Sequence, residues 1–311
     1  MTESASAQPR ESLPLDSTAQ LLTRITAQLG TQLSHVSLNG TRRPMHHRTG
    51  RPAPSTTPPP APALVAVAHG SRNPQALRTV TELLERVREL RPGLDVRLGH
   101  IELNEPLLPS ALAGLGSGDA VLVPLLLGRG HHVKRDIPAA AAAAAPALRA
   151  TIAAPLGPHP LLVEALYGRL VEAGWPAGET GGRSSAVVLA AAGSRDPDSA
   201  ADTRRTARML SERLGGVPVV PAYASAATPT VPVAVRALAA RGRSQVAVAS
   251  YFTAPGRFAA AAAAAAPGAA AAPLGAHPAM ARLLLRRYDQ ALAGVLPASE
   301  AGRNNHLLAS A

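Results

Sequence analysis

The chain alternates short, wholly apolar runs with longer segments whose apolar residues recur every three or four positions. Leu64 to Ala68 is one such run, and Leu77, Val80, Leu83, Leu84 and Val87 then share one face of a helical stretch. The same reading predicts strands at 64–68, 95–102, 120–126 and 150–153, with helices at 75–90, 107–115, 137–148 and 160–173. Strands near 186–191, 217–223, 245–251 and 270–273 repeat the order in the second half. Runs apolar on both faces, alternating with helices, predict small parallel sheets covered by helices on either side.

The two halves also agree in their turns. Ala68-His69-Gly70-Ser71-Arg72-Asn73-Pro74 corresponds to Ala191-Ala192-Gly193-Ser194-Arg195-Asp196-Pro197. Glu102 in the segment Ile101 to Pro106 corresponds to Ser225 in Ala224 to Pro229, and Gly130-His131-His132 to Gly256-Arg257-Phe258. Gly157-Pro158-His159-Pro160 corresponds to Gly275-Ala276-His277-Pro278. The apolar runs and turns survive in both copies, while His69, Glu102 and His132 become Ala192, Ser225 and Phe258. A duplication with one chemically equipped half follows.

The domain plan is therefore a Pro-, Arg-, Ser- and Thr-rich extension over 1–62, lobes at 63–180 and 184–296, and a tail at 297–311. The extension has too little apolar content to offset the entropy of ordering and is expected to be disordered, apart from a short helical pattern at Leu21, Leu22, Ile25, Leu29 and Leu33. His46 and His47 read as tail residues. No long apolar span or basic-plus-apolar leader stands out, so no membrane partner and a cytoplasmic location are expected. The alanine tracts at 139–145 and 259–266 read as helix turns.

With no cysteine in 311 residues, any metal must be held by histidine, carboxylate or water. The net charge of +11 would suit nucleic acid or a polyanionic small molecule. Aromatic residues at 2% leave little to stack on bases, so no nucleic-acid partner is expected.

His69 and Glu102 end successive predicted strands, and His132 lies in the loop after the third. The carboxyl ends of parallel strands share one edge of the sheet, where open α/β sheets hold ligands. Two imidazoles and a carboxylate suit a divalent transition metal and leave coordination positions open. Each residue also has a structural reading: a hydrogen-bonded strand-end histidine, a glutamate paired with arginine, a surface loop histidine. His131 stands beside His132 as an equal alternative. The Gly-Ser-Arg turns and the Gly-x-His-Pro turns occur in both halves and read as helix entries, although the first could also hold an anion.

At Ala68 to Arg72, Glu102 to Pro106, and Pro124 to Pro138, with Gly130, His132 and Asp136-Ile137-Pro138 in register, the chain resembles the sirohydrochlorin chelatases, the class II tetrapyrrole chelatases of sirohaem and cobalamin synthesis. The resemblance covers roughly 63–296, its second half degenerate. It implies an α/β fold of two tandem chelatase-like lobes with the tetrapyrrole in a cleft between them. It implies that His69, Glu102 and His132 bind metal and act in catalysis. On that reading His69 is also expected to take a pyrrole proton, and Ser71, Arg72, Lys134 and Arg135 are expected to bind the substrate and its carboxylates. Fe²⁺ or Co²⁺ would be a substrate, with nickel not distinguished, and no tightly bound cofactor is expected. A duplicated chain can build the cleft within itself, so a monomer is expected, with neighbouring pathway enzymes as potential partners. The competing readings are a non-catalytic tetrapyrrole or metal carrier and, behind it, a basic nucleic-acid-associated protein.

Overall fold

The computed structural model describes residues 61–176, 182 and 184–295. The N-terminal extension up to residue 60, the 297–311 tail and most of the stretch between the halves lie outside the described residues.

The first half contains β1 (Ala63–Ala68), α1 (Pro74–Leu90), β2 (Val96–His100), α2 (Leu108–Ala113), β3 (Gly118–Pro124), a π-helical turn at His132–Asp136, α3 (Ile137–Ala144), β4 (Leu148–Ile152) and α4 (Pro160–Glu172). The second contains β5 (Ser185–Ala191), α5 (Pro197–Arg213), β6 (Val219–Tyr223), α6 (Val231–Ala240), β7 (Gln245–Tyr251), α7 (Arg257–Ala264) and α8 (Pro278–Val295). The strands form two parallel sheets, ordered β2-β1-β3-β4 and β6-β5-β7. The predicted pair of helix-flanked parallel sheets is what the chain forms.

Two predicted elements need correction. The helix expected over 137–148 stops at Ala144, because Pro146 has no amide hydrogen to continue it. The strand expected at 270–273 is a single bridge between Val248 and Ala270. Alanine there offers no β-branched side chain to pack on the sheet, so pairing does not extend.

Alternation along the central strands divides the interior into three layers. Ala63, Val65 and Val67 of β1 face an outer core with Leu108 and Leu112 of α2 and Ile137 of α3. Ala186, Val188 and Ala190 of β5 do the same with Val231 and Leu238 of α6. The opposite faces, Leu64 and Ala66 on β1 and Val187 and Leu189 on β5, meet in one shared core. Successive strand residues point to opposite faces, so one apolar run serves two cores.

The helices of the shared core are exchanged. Helix α4 ends the first half yet packs on β7 and α5 of the second. Helix α8 ends the second half and packs on β3, β4 and α1 of the first. Leu162, Leu166 and Leu170 of α4 and Leu283 and Leu284 of α8 are all buried there. No helix among the described residues is long and apolar enough to cross a membrane.

Candidate functional site

The carboxyl ends of β1, β2, β3, β5 and β7 open onto one cleft of about 1040 Å³. Its floor is stapled across the halves. The Tyr251 hydroxyl donates to the Leu127 carbonyl at 2.9 Å, and Thr253 Oγ1 donates to the Leu125 carbonyl at 2.9 Å. Burial pushes the Tyr251 phenol well up, keeping it a donor. Beside this floor, Asp202 on α5 is 5% exposed and takes the Arg129 backbone amide at 3.0 Å and its guanidinium at 2.8 and 3.0 Å.

The turn after β1 is held by backbone geometry common to both halves. The Glu102 amide donates to the His69 carbonyl at 3.0 Å, as the Ser225 amide does to Ala192 at 2.9 Å. Gly70 has φ +101° and a Cβ on it would lie 1.8 Å from the Glu102 carbonyl oxygen; Gly193, at φ +91°, stands in the same relation to Ser225. Only glycine permits this approach. It seats the strand-end residue of β1 against the loop after β2. In the first half alone, the Ser71 amide also donates to Asn104 Oδ1, at 2.6 Å.

That approach brings His69 Nδ1 to 3.4 Å from Glu102 Oε1. The His132 ring lies edge-on to His69, centroids 4.8 Å apart at 89°. Its Nδ1 is engaged by Asp136 Oδ2, one π-helical turn on, which leaves Nε2 for another partner. His131 is the more exposed of the pair, its ring 6.1 Å from His132 and its Nε2 3.7 Å from Asp136 Oδ1. A widened π turn is a recurrent way to re-aim side chains at a functional site. Among the described residues, no three His, Cys, Asp or Glu side chains are arranged as a ready-made metal cage.

The remaining predicted residues divide. Ser71 and Arg72 line the cleft with His69 and His132. Lys134 and Arg135 instead line an adjoining recess with His131, Ser194 and Arg195. Lys134 Nζ bridges Asp196 and Asp198 of the second half at 2.8 Å each. The ammonium is driven up and both carboxyls down by this pairing.

The shared turns are helix entries. Asn73 and Asp196 cap α1 and α5 by accepting from the amides of Gln75 and Asp198 at 2.9 and 3.0 Å. His159 and His277 cap α4 and α8 through Nδ1, accepting from the amides of Leu161 and Ala279 at 3.1 and 3.2 Å. The sequence reading assigned no role to Asp136, which it used only as part of a motif, and did not single out Asp202 or His100. His100 lines the cleft while 2% exposed, its Nδ1 3.2 Å from the Pro106 carbonyl, and burial lowers its pKa. Asp136 carried a signal, a carboxylate four residues after His132. Asp202 carried none, since its partner comes from the other half.

Comparison with known proteins places the chain among relatives. The CbiX family model matches residues 63–173 and 186–291. The chain is 30% identical over 173 residues to the sirohydrochlorin ferrochelatase of Bacillus subtilis, spanning 54% of this chain and 64% of that one. It is 37% identical over 79 residues to the sirohydrochlorin cobaltochelatase of Methanococcus aeolicus, spanning 24% and 55%. The aligned stretches thus cover less than two thirds of the length of these curated relatives. Among solved structures, SirB from Bacillus subtilis with Fe³⁺ superposes with a TM-score of 0.61 at 25% identity, covering 75% of this chain and 96% of that one.

Proposed function

This chain belongs to the CbiX family, and from that premise we propose that it inserts a divalent metal ion, Fe²⁺ or Co²⁺, into sirohydrochlorin. The observation that carries this reading is the edge-on pair of His69 and His132, 4.8 Å apart. Glu102 stands 3.4 Å from His69, beside a cleft of about 1040 Å³. That volume is at the top of the range of about 300–1,000 Å³ usual for small-molecule sites. Both named activities occur among the relatives, on iron and on cobalt.

Metallation exchanges two pyrrole N–H protons for one M²⁺, so the site must admit a cation and remove protons. His69, Glu102 and His132 receive the metal; imidazole and carboxylate suit both ions. The metal is a substrate, and the exchange involves no redox change and no resident cofactor. Neutral imidazole is also a base near neutral pH: His69, with Nδ1 turned to Glu102, takes one pyrrole proton on Nε2 once the metal has left it for the macrocycle, and the second pyrrole proton passes to solvent water in the open cleft. Ser71 and Arg72 bind substrate carboxylates inside the cleft, and Arg135 does so from the recess. Lys134, already shared by two aspartates, ties the halves together.

The test is anaerobic mixing of the protein with sirohydrochlorin and Fe²⁺ or Co²⁺, followed by absorbance. Many turnovers by the wild type and loss of insertion in His69→Ala are expected. A His69→Ala protein as fast as the wild type would overturn the assignment. At most one metallated product per chain would mark a carrier.

A further inference from the structure

The second half has lost the metal-binding side chains but keeps its share of the cleft. Arg257 and Phe258 stand where the first half has His131 and His132, and both line the same cleft as His69. Phe258 is half-buried although it is one of only two phenylalanines in the chain. The Arg257 guanidinium lies 4.9 Å from the centre of its ring, an arrangement that holds the cation over the aromatic edge of the cleft. Among the described residues Arg257 makes no salt bridge. Two other cations at this seam, Arg129 and Lys134, are committed to Asp202 and to Asp196 and Asp198, while Arg72, across the cleft, belongs to the first half. Leu103, 52% exposed and held at φ 68°, adds further uncovered apolar surface to the lining. Exposed apolar surface beside a guanidinium that has no carboxylate partner among the described residues is complementary to a ligand with a flat apolar face and carboxylates at its rim.

We infer that Arg257 and Phe258 form the macrocycle-holding wall of the cleft, Phe258 packing on the ring face and Arg257 pairing with a peripheral carboxylate. The inference rests on the chelatase reading. It assigns the work of the second half: the first half handles metal and protons, the second fixes the ring against them. His132 and Phe258 are then alternative uses of one turn, a ligand on one side and a platform on the other. Arg257 and Phe258 are substrate-positioning residues.

The test uses the full chain, with sirohydrochlorin and its fully methyl-esterified form as probes. Arg257→Ala is expected to raise KM for sirohydrochlorin about tenfold, the size of one charge-assisted hydrogen bond, with kcat within about twofold. Arg257→Lys is expected to recover most of the loss. Binding of the uncharged ester, read from the pigment's absorbance shift, is expected to be the same in Arg257→Ala as in the wild type. Phe258→Ala is expected to weaken acid and ester alike, and Phe258→Leu to recover part of it. Unchanged KM in both alanine variants, with a wild type that turns over, would overturn this inference alone. Equal loss of acid and ester in Arg257→Ala would also overturn it, because it would mark a structural arginine. A wild type that neither binds nor metallates the pigment would overturn the chelatase reading together with this one.

Discussion

A methyl group at position 70 would sit 1.8 Å from the Glu102 carbonyl oxygen, and the backbone there has φ +101°. Gly70→Ala must therefore push the β1 turn away from the loop that carries Glu102, and strain of this kind costs about 1–3 kcal/mol. The expected result is a lowered melting temperature together with loss of metal insertion. Gly193→Ala meets the same clash with Ser225 and is expected to cost similar stability with a smaller loss of insertion, because His69 and Glu102 lie in the other half and Gly193 only lines the facing wall. Equal loss of insertion in both variants would separate the glycine from the placement of His69 and Glu102. At this scale the convergence of His69, Glu102 and His132 was legible because strand ends share one edge of a parallel sheet. Asp136 and Asn104 were harder to see, since they act by orienting neighbours, and that role depends on a π turn and a left-handed Leu103 that periodicity does not encode.

At the scale of elements, the buried runs made the strands plain and the apolar stripes made the helices plain. A stripe shows that a face is covered without showing by what, so the exchange of α4 and α8 could not be read from the chain. Leu284 on α8 is 0% exposed and belongs to the core shared by both sheets. Leu284→Ala is expected to destabilise by about 2–5 kcal/mol, and chemical denaturation should show one transition in which both halves melt together. Two separated transitions would mean that the shared core does not couple them. The 270–273 segment shows the opposite limit: its apolar content suggested a strand, but alanine supplies little packing to hold one.

For the molecule as a whole, the seam between the halves is polar at the cleft and titratable beneath it. His159 and His277 cap α4 and α8 in their neutral form, and both are held below the ordinary imidazole value. Burial is the larger cause, followed by Arg287 and Arg286 around His159 and by Arg169 at His277. The unfolded chain therefore takes up these protons at higher pH than the folded one does. Their contribution is complete above about pH 6.5 and is lost as pH falls through the lower folded values. Asp196 and Asp198, held down by Lys134, give way only at more acidic pH. Thermal melts from pH 8 to pH 5 should fall below about pH 6.5, and His159→Asn, which can cap without titrating, should flatten part of that fall. An unchanged profile in that variant would clear His159 of the role. The exchanged helices carry one more consequence. A chain nicked between its halves would yield two pieces, each lacking the helix that closes its own core and each holding the one the other lacks. Fragments 61–176 and 184–295 are expected to stay unfolded alone and to combine one-to-one when refolded together; autonomous folding of either would show the swap to be dispensable. The copy without the histidine pair is thus no passenger: its partner is unfinished without it, and the debt runs both ways.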